Sequence, residues 1–121
     1  MHLTIPGRPV PKKRPRVTKT HTYTPKETTQ QETKILAAYQ QKYGRKKLEG
    51  EIELICGFYY SDKRVADTTN LIKLVEDGLG GGRGRKDEGW HPFNDRQITK
   101  VHGYRVTGRE EEKTIIYLRE V

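Results

Sequence analysis

Residues 67–79 read DTTNLIKLVEDGL, and this stretch decides the fold because its apolar residues recur with the period of an amphipathic helix. On a helical wheel at about 100° per residue, the apolar side chains occupy one arc and the polar side chains lie opposite. We therefore predict a helix that packs one face on a sheet and exposes a lysine among hydroxyl, amide and carboxylate groups. The apolar face consists of Leu71, Ile72, Leu74, Val75 and Leu79, and the polar face of Thr69, Asn70, Lys73, Glu76 and Asp77.

The flanking sequence predicts a single α+β domain over residues 1–121, because helical and alternating patterns follow each other along the chain. Thr24-Pro25-Lys26-Glu27 is typical of a helix start, and this helix is expected to run to about Tyr43. The predicted order is β-α-β-α-β-β, which gives a mixed sheet of about four strands with two helices packed on it. The strands are expected at 2–6, 49–60, 97–106 and 113–119, with a turn at Gly108.

The composition limits the size of the hydrophobic core. Of 121 residues, 31% are hydrophobic and 33% are charged, so a homodimer is expected to add buried surface to a marginally stable monomer. The single cysteine, Cys56, lies among apolar residues and is expected to be a buried structural thiol. Without a signal peptide or an apolar run of membrane-spanning length, the protein is expected to be cytoplasmic.

Positive charge is concentrated in the first part of the chain. Residues 1–47 contain 12 Lys and Arg residues against 2 acidic residues, whereas residues 48–121 contain 12 against 14. A merely solubilising surface intersperses both signs, so this segregation favours a nucleic-acid partner. Prolines make the basic segment 7–23 an extended ribbon, which we expect to bind DNA phosphates. The predicted DNA-binding residues are Lys12, Lys13, Arg14, Arg16 and Lys19.

A glycine-rich basic loop is predicted at 80–90. It contains Gly80-Gly-Gly-Arg-Gly-Arg but lacks the Lys-Ser/Thr pair of a phosphate-binding loop. We therefore expect no nucleotide cofactor there.

A second polar stretch, Asn94-Asp95-Arg96-Gln97-Ile98, follows this loop. Mg²⁺ takes oxygen ligands and is often held by one or two carboxylates plus a substrate phosphate, so Asp67 and Asp95 are candidate metal ligands. Lys73 is a candidate for stabilising negative charge in a transition state. Together these residues indicate metal-assisted hydrolysis of a phosphodiester.

The same residues also have purely structural explanations. Asp67 could be only a helix N-cap, a position that Asp favours. Lys73 could belong to a surface ladder of ion pairs along the helix. Asn94 and Asp95 could form an ordinary turn before a strand. The residue types alone leave both explanations open.

Two groups of motifs resemble the RusA family of Holliday-junction resolvases and together span residues 1–106. The first group is Gly7-x-Pro-x-Pro-Lys-x-Arg-Pro-Arg16 with Tyr23-Thr-Pro-Lys26; the second is Asp67-x-x-Asn-Leu-x-Lys73-x-x-x-Asp77 followed by Asn94-Asp-x-Gln-Ile98. The resemblance implies a homodimeric, bacterial or phage-encoded endodeoxyribonuclease that uses Mg²⁺, with Mn²⁺ able to substitute. Such an enzyme introduces paired symmetric nicks into four-way DNA junctions during recombination and repair.

The resemblance also implies roles for individual residues. Asp67 and Asp95 match metal-site aspartates, and Lys73 matches a lysine needed for cleavage. Asn70 and Asp77 match further polar positions of the same helix, and all five are candidate catalytic residues. In one departure from the family pattern, Thr69 stands where many members carry an additional aspartate.

Two other classes of function are candidates beside the nuclease. One is a non-catalytic, structure-selective DNA- or RNA-binding module that shares the fold and the basic ribbon. The other is a small basic protein that binds acidic partners structurally. Cutting of a four-way junction distinguishes the nuclease from both.

Overall fold

Two helices and a four-stranded sheet form the body of the protein, in a computed structural model that describes residues 1–12, 16–17, 22–23, 26–81 and 89–121. The predicted α+β class and the order of the long elements are confirmed. In chain order the elements are β1 (His2–Pro6), β2 (Arg16–Val17), β3 (Thr22–Tyr23), α1 (Lys26–Tyr43), β4 (Ile52–Tyr59), α2 (Thr68–Leu79), β5 (Gly80–Gly81), β6 (Phe93–Asn94), a 3-10 helix (Asp95–Gln97), β7 (Ile98–Val106) and β8 (Lys113–Glu120).

The long strands form a mixed sheet in the order β1-β8-β4-β7. β4 runs parallel to β7 and antiparallel to β8, and β1 pairs antiparallel with β8. The parallel pair requires a crossover, which the segment containing α2 provides. The predicted turn between β7 and β8 is confirmed at Gly108, whose φ of 75° is a conformation that glycine adopts without steric cost.

The hydrophobic core lies between the sheet and the two helices. Alternate side chains of β4 point into it, and Cys56 among them is a buried free thiol, as predicted. Burial, with a smaller contribution from the charge of Glu76, raises the pKa of Cys56 to about 12, so the thiol stays protonated. The buried residues of β4 and α2 include Ile52, Leu54, Phe58, Leu71, Leu74, Val75 and Leu79.

The prediction that Asp77 lies on an exposed polar face is wrong. Asp77 is only 3% exposed, because α1 covers this flank of α2. A Cβ atom on the neighbouring Gly78 would lie 3.2 Å from the carbonyl oxygen of Glu32, so glycine at this position lets the two helices approach closely. The helical wheel identifies the polar side of a helix but not the part of it that another helix covers.

The predicted loop at 80–90 begins with a short strand, β5, that pairs with β6 a few residues beyond the end of the loop. β5 and β6 form a two-residue parallel pair, with Gly80 opposite Phe93 and Gly81 opposite Asn94. Residues 82–88 lie outside the described residues, as does the predicted Thr24-Pro25 helix start. Within the described ranges, no helix is both long and apolar enough to cross a membrane.

Candidate active site

Asp67 occupies the N-cap position of α2, and its side chain is exposed. Its backbone is extended (φ −62°, ψ 130°), and its carbonyl oxygen accepts a 3.1 Å hydrogen bond from the amide of Leu71. In the described part of the chain, the Asp67 side chain makes no capping hydrogen bond. The N-cap explanation therefore accounts for the position of Asp67, while its carboxylate is left available to a cation.

Asn70 and Lys73 follow Asp67 at intervals of three residues, so the three side chains lie on one flank of α2. All three are exposed. Among the residues that the structure describes, Lys73 takes part in no ion pair, and Asp77 pairs instead with Lys12. Within these described residues Lys73 therefore forms no ladder of ion pairs, and its side chain is exposed to solvent.

Asp95 lies in a tightly bonded turn. The side chain of Asn94 accepts a 3.0 Å hydrogen bond from the amide of Arg96, and the side chain of Gln97 accepts a 2.7 Å bond from the amide of Asn94. The amide group of Gln97 also donates to the carbonyl oxygens of Leu48, at 2.7 Å, and Gly50, at 3.0 Å. Asn94 and Gln97 thus cap the 3-10 helix and fix the turn to the segment before β4, which holds the Asp95 backbone in place.

α2 and β7 run in opposite directions, which places Asp67 and Asp95 at opposite ends of α2. Near the start of the helix, a Cβ atom on Gly103 of β7 would lie 3.2 Å from Cγ2 of Thr68. At the end of the helix, a Cβ atom on Gly80 would lie 3.1 Å from Cβ of Asp95. The 12 residues of α2 separate the two ends by about 18 Å at about 1.5 Å per residue.

A single protomer therefore does not bring the two predicted metal ligands together. Two oxygen ligands of one Mg²⁺ ion lie about 3–4 Å apart, because each bond is about 2.1 Å long. Within the described ranges, no group of three or more His, Cys, Asp or Glu side chains is arranged to hold a metal ion. A metal site that contains both Asp67 and Asp95 needs residues from two protomers.

Lys12 and Asp77, predicted to bind DNA and to act in catalysis, pair with each other. The Nζ atom of Lys12 lies 3.2 Å from Oδ2 of Asp77 and 3.2 Å from Oε1 of Glu32, and the Asp77 side chain is 2% exposed. The backbone amide of Lys12 also donates a 2.9 Å hydrogen bond to the carbonyl oxygen of Asn70. These contacts fasten the start of the basic segment to both helices and favour an anchoring role for the two residues.

Replacing Lys12 with methionine should destabilise the fold, because two carboxylates in a poorly solvated site then lose their shared cation. Breaking a buried ion pair costs about 3–5 kcal/mol, and we expect chemical denaturation to show a loss of this order in the free energy of unfolding. Arg64→Ala is the control, because it removes an exposed ion pair with Asp62 and should leave the midpoint nearly unchanged. Parental stability of Lys12→Met would contradict the anchoring role.

The other predicted DNA-binding residues are only partly within the described structure. Lys13, Arg14 and Lys19 lie outside the described residues, and Arg16 is described only through its backbone, which pairs with Tyr23. Their role in DNA binding stays a prediction.

Arg8, at the start of the same segment, is held by the body of the protein. It pairs with Asp62 at 3.0 Å and with Glu112 at 2.6 Å, and its guanidinium group lies 4.8 Å from the ring centroid of Tyr60. The first residues of the basic segment are thus attached to the sheet side of the fold as well as to the helices.

Sequence reasoning did not single out an arginine near one end of α2 or a cluster of two cations and a tryptophan near the other. Arg105 on β7 donates a 2.8 Å hydrogen bond to the carbonyl oxygen of Ala66, which places a guanidinium group beside the start of α2. Near the other end of the helix, Arg45 and Lys47 lie around the ring of Trp90. These residues follow no periodic pattern, and the one available signal was that Trp90 is the single tryptophan of the chain.

The fold and the flank define a small α+β protein that exposes a carboxylate, an amide and an ammonium group along one side of α2. Comparison with protein families gives a match over residues 6–119 to the model described as Endodeoxyribonuclease RusA. The chain therefore belongs to the RusA family of endodeoxyribonucleases, whose activity is the resolution of Holliday junctions. Among curated proteins, no relative matches the chain. The family resemblance predicted from the motifs is confirmed.

Proposed function

We propose that this protein is a Mg²⁺-dependent endonuclease that resolves four-way DNA junctions by paired symmetric nicks during recombination and repair, with Mn²⁺ able to replace Mg²⁺. The observation that carries the proposal is the exposed flank of α2, where Asp67, Asn70 and Lys73 combine a carboxylate, an amide and an ammonium group. A carboxylate that can hold a cation, next to a fixed positive charge, suits the hydrolysis of a phosphodiester. Family membership supports the reaction class.

The proposed active unit is a homodimer in which each metal site takes Asp67 from one protomer and Asp95 of the partner subunit. A twofold axis repeats every contact, so two antiparallel α2 helices would bring the start of each helix to the end of the other. This arrangement creates two equivalent sites, separated by about 18 Å, the length of α2. Two symmetric nicks need two such sites.

The residues of this flank have different roles in the proposed hydrolysis. A bound metal ion would supply an activated water and neutralise phosphate charge. Lys73 stabilises negative charge that develops on the phosphate or on the leaving oxygen, and the Asn70 amide donates a hydrogen bond to a phosphate oxygen. Because Thr69 supplies no carboxylate, the site depends more strongly on Asp95 of the partner subunit.

A labelled four-way junction incubated with the protein and Mg²⁺ tests the proposal. We expect paired nicks at symmetric positions, no nicks in EDTA, and little cutting of a duplex with the same sequence. Asp62→Asn is a suitable control, because Asp62 is a surface aspartate that pairs with Arg8, and this variant should cut like the parent. Tight junction binding without cutting in any divalent metal would favour the non-catalytic DNA-binding module instead.

A further inference from the structure

A cavity of about 750 Å³ lies between α1 and the C-terminal half of α2, and we call it the Trp90 cavity. Its lining includes Gln40 from α1, Lys73 and Asp77 from α2, and both Arg45 and Trp90. Cavities of roughly 300–1,000 Å³ accommodate small-molecule ligands, so this one has room for a nucleotide. Lys73 therefore belongs both to the proposed active site and to the wall of this cavity.

The charge of the lining favours an anionic ligand. The carboxylates of Asp77 and Glu32 are present in the wall, but Lys12 lies within 3.2 Å of both. Arg45 and Lys73 add two further positive charges to the same lining. The sum is one net positive charge at the wall, and the additional charge of Lys47 lies beside the Trp90 ring.

Trp90 is half-buried and borders two cavities, the Trp90 cavity and a second one of about 500 Å³. Its ring centroid lies 6.2 Å from that of Tyr39, 5.8 Å from Cζ of Arg45 and 5.3 Å from Nζ of Lys47. Lys47 is fixed there by a 2.7 Å hydrogen bond to the carbonyl oxygen of His91. Aromatic rings with cations around them are the means by which proteins hold unstacked bases together with their phosphates.

We infer that the Trp90 cavity binds one unstacked nucleobase of a DNA strand, stacked on the Trp90 indole and next to the phosphate that Lys73 contacts. The inference rests on the proposed action on DNA. Gln40 can read the edge of this base, because its half-buried side chain makes no hydrogen bond in the described part of the chain and carries both donors and an acceptor. Arg45 and Lys47 neutralise the neighbouring phosphates.

A purely structural role explains Trp90 less well. One side of Trp90 packs against the hydrophobic core, but its ring also lies near two cations and borders two cavities, which core packing alone does not require. Its tilted contact with the ring of Tyr39 holds the indole in place, and the residue as a whole stays half-buried. This fixed, partly open ring is suited to stacking.

The fluorescence of Trp90 reports directly on this cavity, because the chain contains no other tryptophan. We would titrate the protein in EDTA with a short oligothymidylate, an abasic oligomer of equal length and charge, and thymidine monophosphate. We expect saturable quenching by oligothymidylate, with the abasic oligomer binding about tenfold more weakly because one base–aromatic stack is lost. Equal affinity for both oligomers, or DNA binding without a fluorescence change, would overturn the inference. Quenching by the monophosphate at the same concentrations would assign the cavity to free nucleotides and equally overturn it.

Variants separate stacking from general electrostatics. Trp90→Leu, followed by the anisotropy of a labelled strand, should bind oligothymidylate about tenfold more weakly while its affinity for the abasic oligomer is unchanged. An unchanged affinity for the abasic oligomer also shows that the variant is folded. If Trp90→Leu does not fold, the comparison of quenching by the two oligomers on the parent protein tests whether the cavity binds a base. Lys47→Ala should weaken binding more than Lys46→Ala, a matched control from the same turn with the same loss of charge. Equal effects of the two lysine variants, or parental binding by Trp90→Leu, would contradict the proposed cavity.

These measurements are independent of cleavage. A protein whose Trp90 fluorescence is quenched by bases but which never nicks a junction keeps the base-binding cavity and loses the proposed nuclease function. A protein that nicks junctions but shows no base-dependent quenching keeps the proposed nuclease function and loses the base-binding cavity.

Discussion

Mixing Asp67→Asn protein with Asp95→Asn protein should restore nicking that neither variant has alone. Each pure variant loses one carboxylate from both metal sites of its dimer, and we expect cleavage to fall about a thousandfold or more. In a mixed dimer that shares its sites across the twofold axis, one site carries both substitutions and the other carries neither. The mixture should therefore recover cutting at a single site, seen as nicked junctions without paired resolution.

The mixed-dimer experiment discriminates sharply between arrangements. If Asp67 and Asp95 of the same chain formed one site, every site in a mixed dimer would carry one substitution and no activity would return. Co-refolding or co-expression with two different tags isolates the mixed dimer. The isolated mixed dimer of Asp62→Asn and Asp95→Asn protein is the control: it keeps one intact site under either arrangement, because Asp62 is a surface residue outside the site, and it should nick the junction. If the dimer of Asp67→Asn with Asp95→Asn stays inactive while the control dimer nicks, the shared site is excluded.

Lys73→Ala should suppress junction cleavage about a hundredfold or more while changing junction affinity only a few-fold. The ammonium group is exposed on the flank of α2 and acts, in our proposal, on charge that develops in the transition state. Its removal therefore affects the rate more than binding, for which many other basic residues are present. Single-turnover cleavage and binding in Ca²⁺ or EDTA measure the two effects separately.

Lys100→Ala is the matched control for this substitution. Lys100 is an exposed lysine of β7, and its replacement removes the same charge from a different element. It should leave the cleavage rate close to that of the parent. Equal losses of binding and cleavage in Lys73→Ala would instead make Lys73 a residue for DNA binding.

The sequence predicted the elements well because their signals are local. The alternation in residues 52–59 and the helical period in 67–79 depend on which side of each element is buried, and both follow from a single packed face. A turn at Asn94 and Asp95 was one of the explanations left open, since turn chemistry is also local; the part that Gln97 plays in this turn was not predicted.

The relations between elements were harder to predict. The burial of Asp77 depends on the approach of α1 at Gly78, and the pairing of Asp77 with Lys12 depends on where the basic segment returns. The expectation that Asp67 and Asp95 share one ion rested on residue type and on the family resemblance, and neither gives the direction of β7 relative to α2. Such three-dimensional relations leave no periodic trace in the sequence.

The small β5–β6 pair has a consequence for how this protein can vary. It joins the chain entering and leaving the segment 82–88, immediately after α2 and immediately before Asp95. Because the two ends of that segment are paired with each other, additions or deletions inside it need not shift the turn that contains Asp95. The length of that segment and the placement of Asp95 are thereby uncoupled, so one can change without the other.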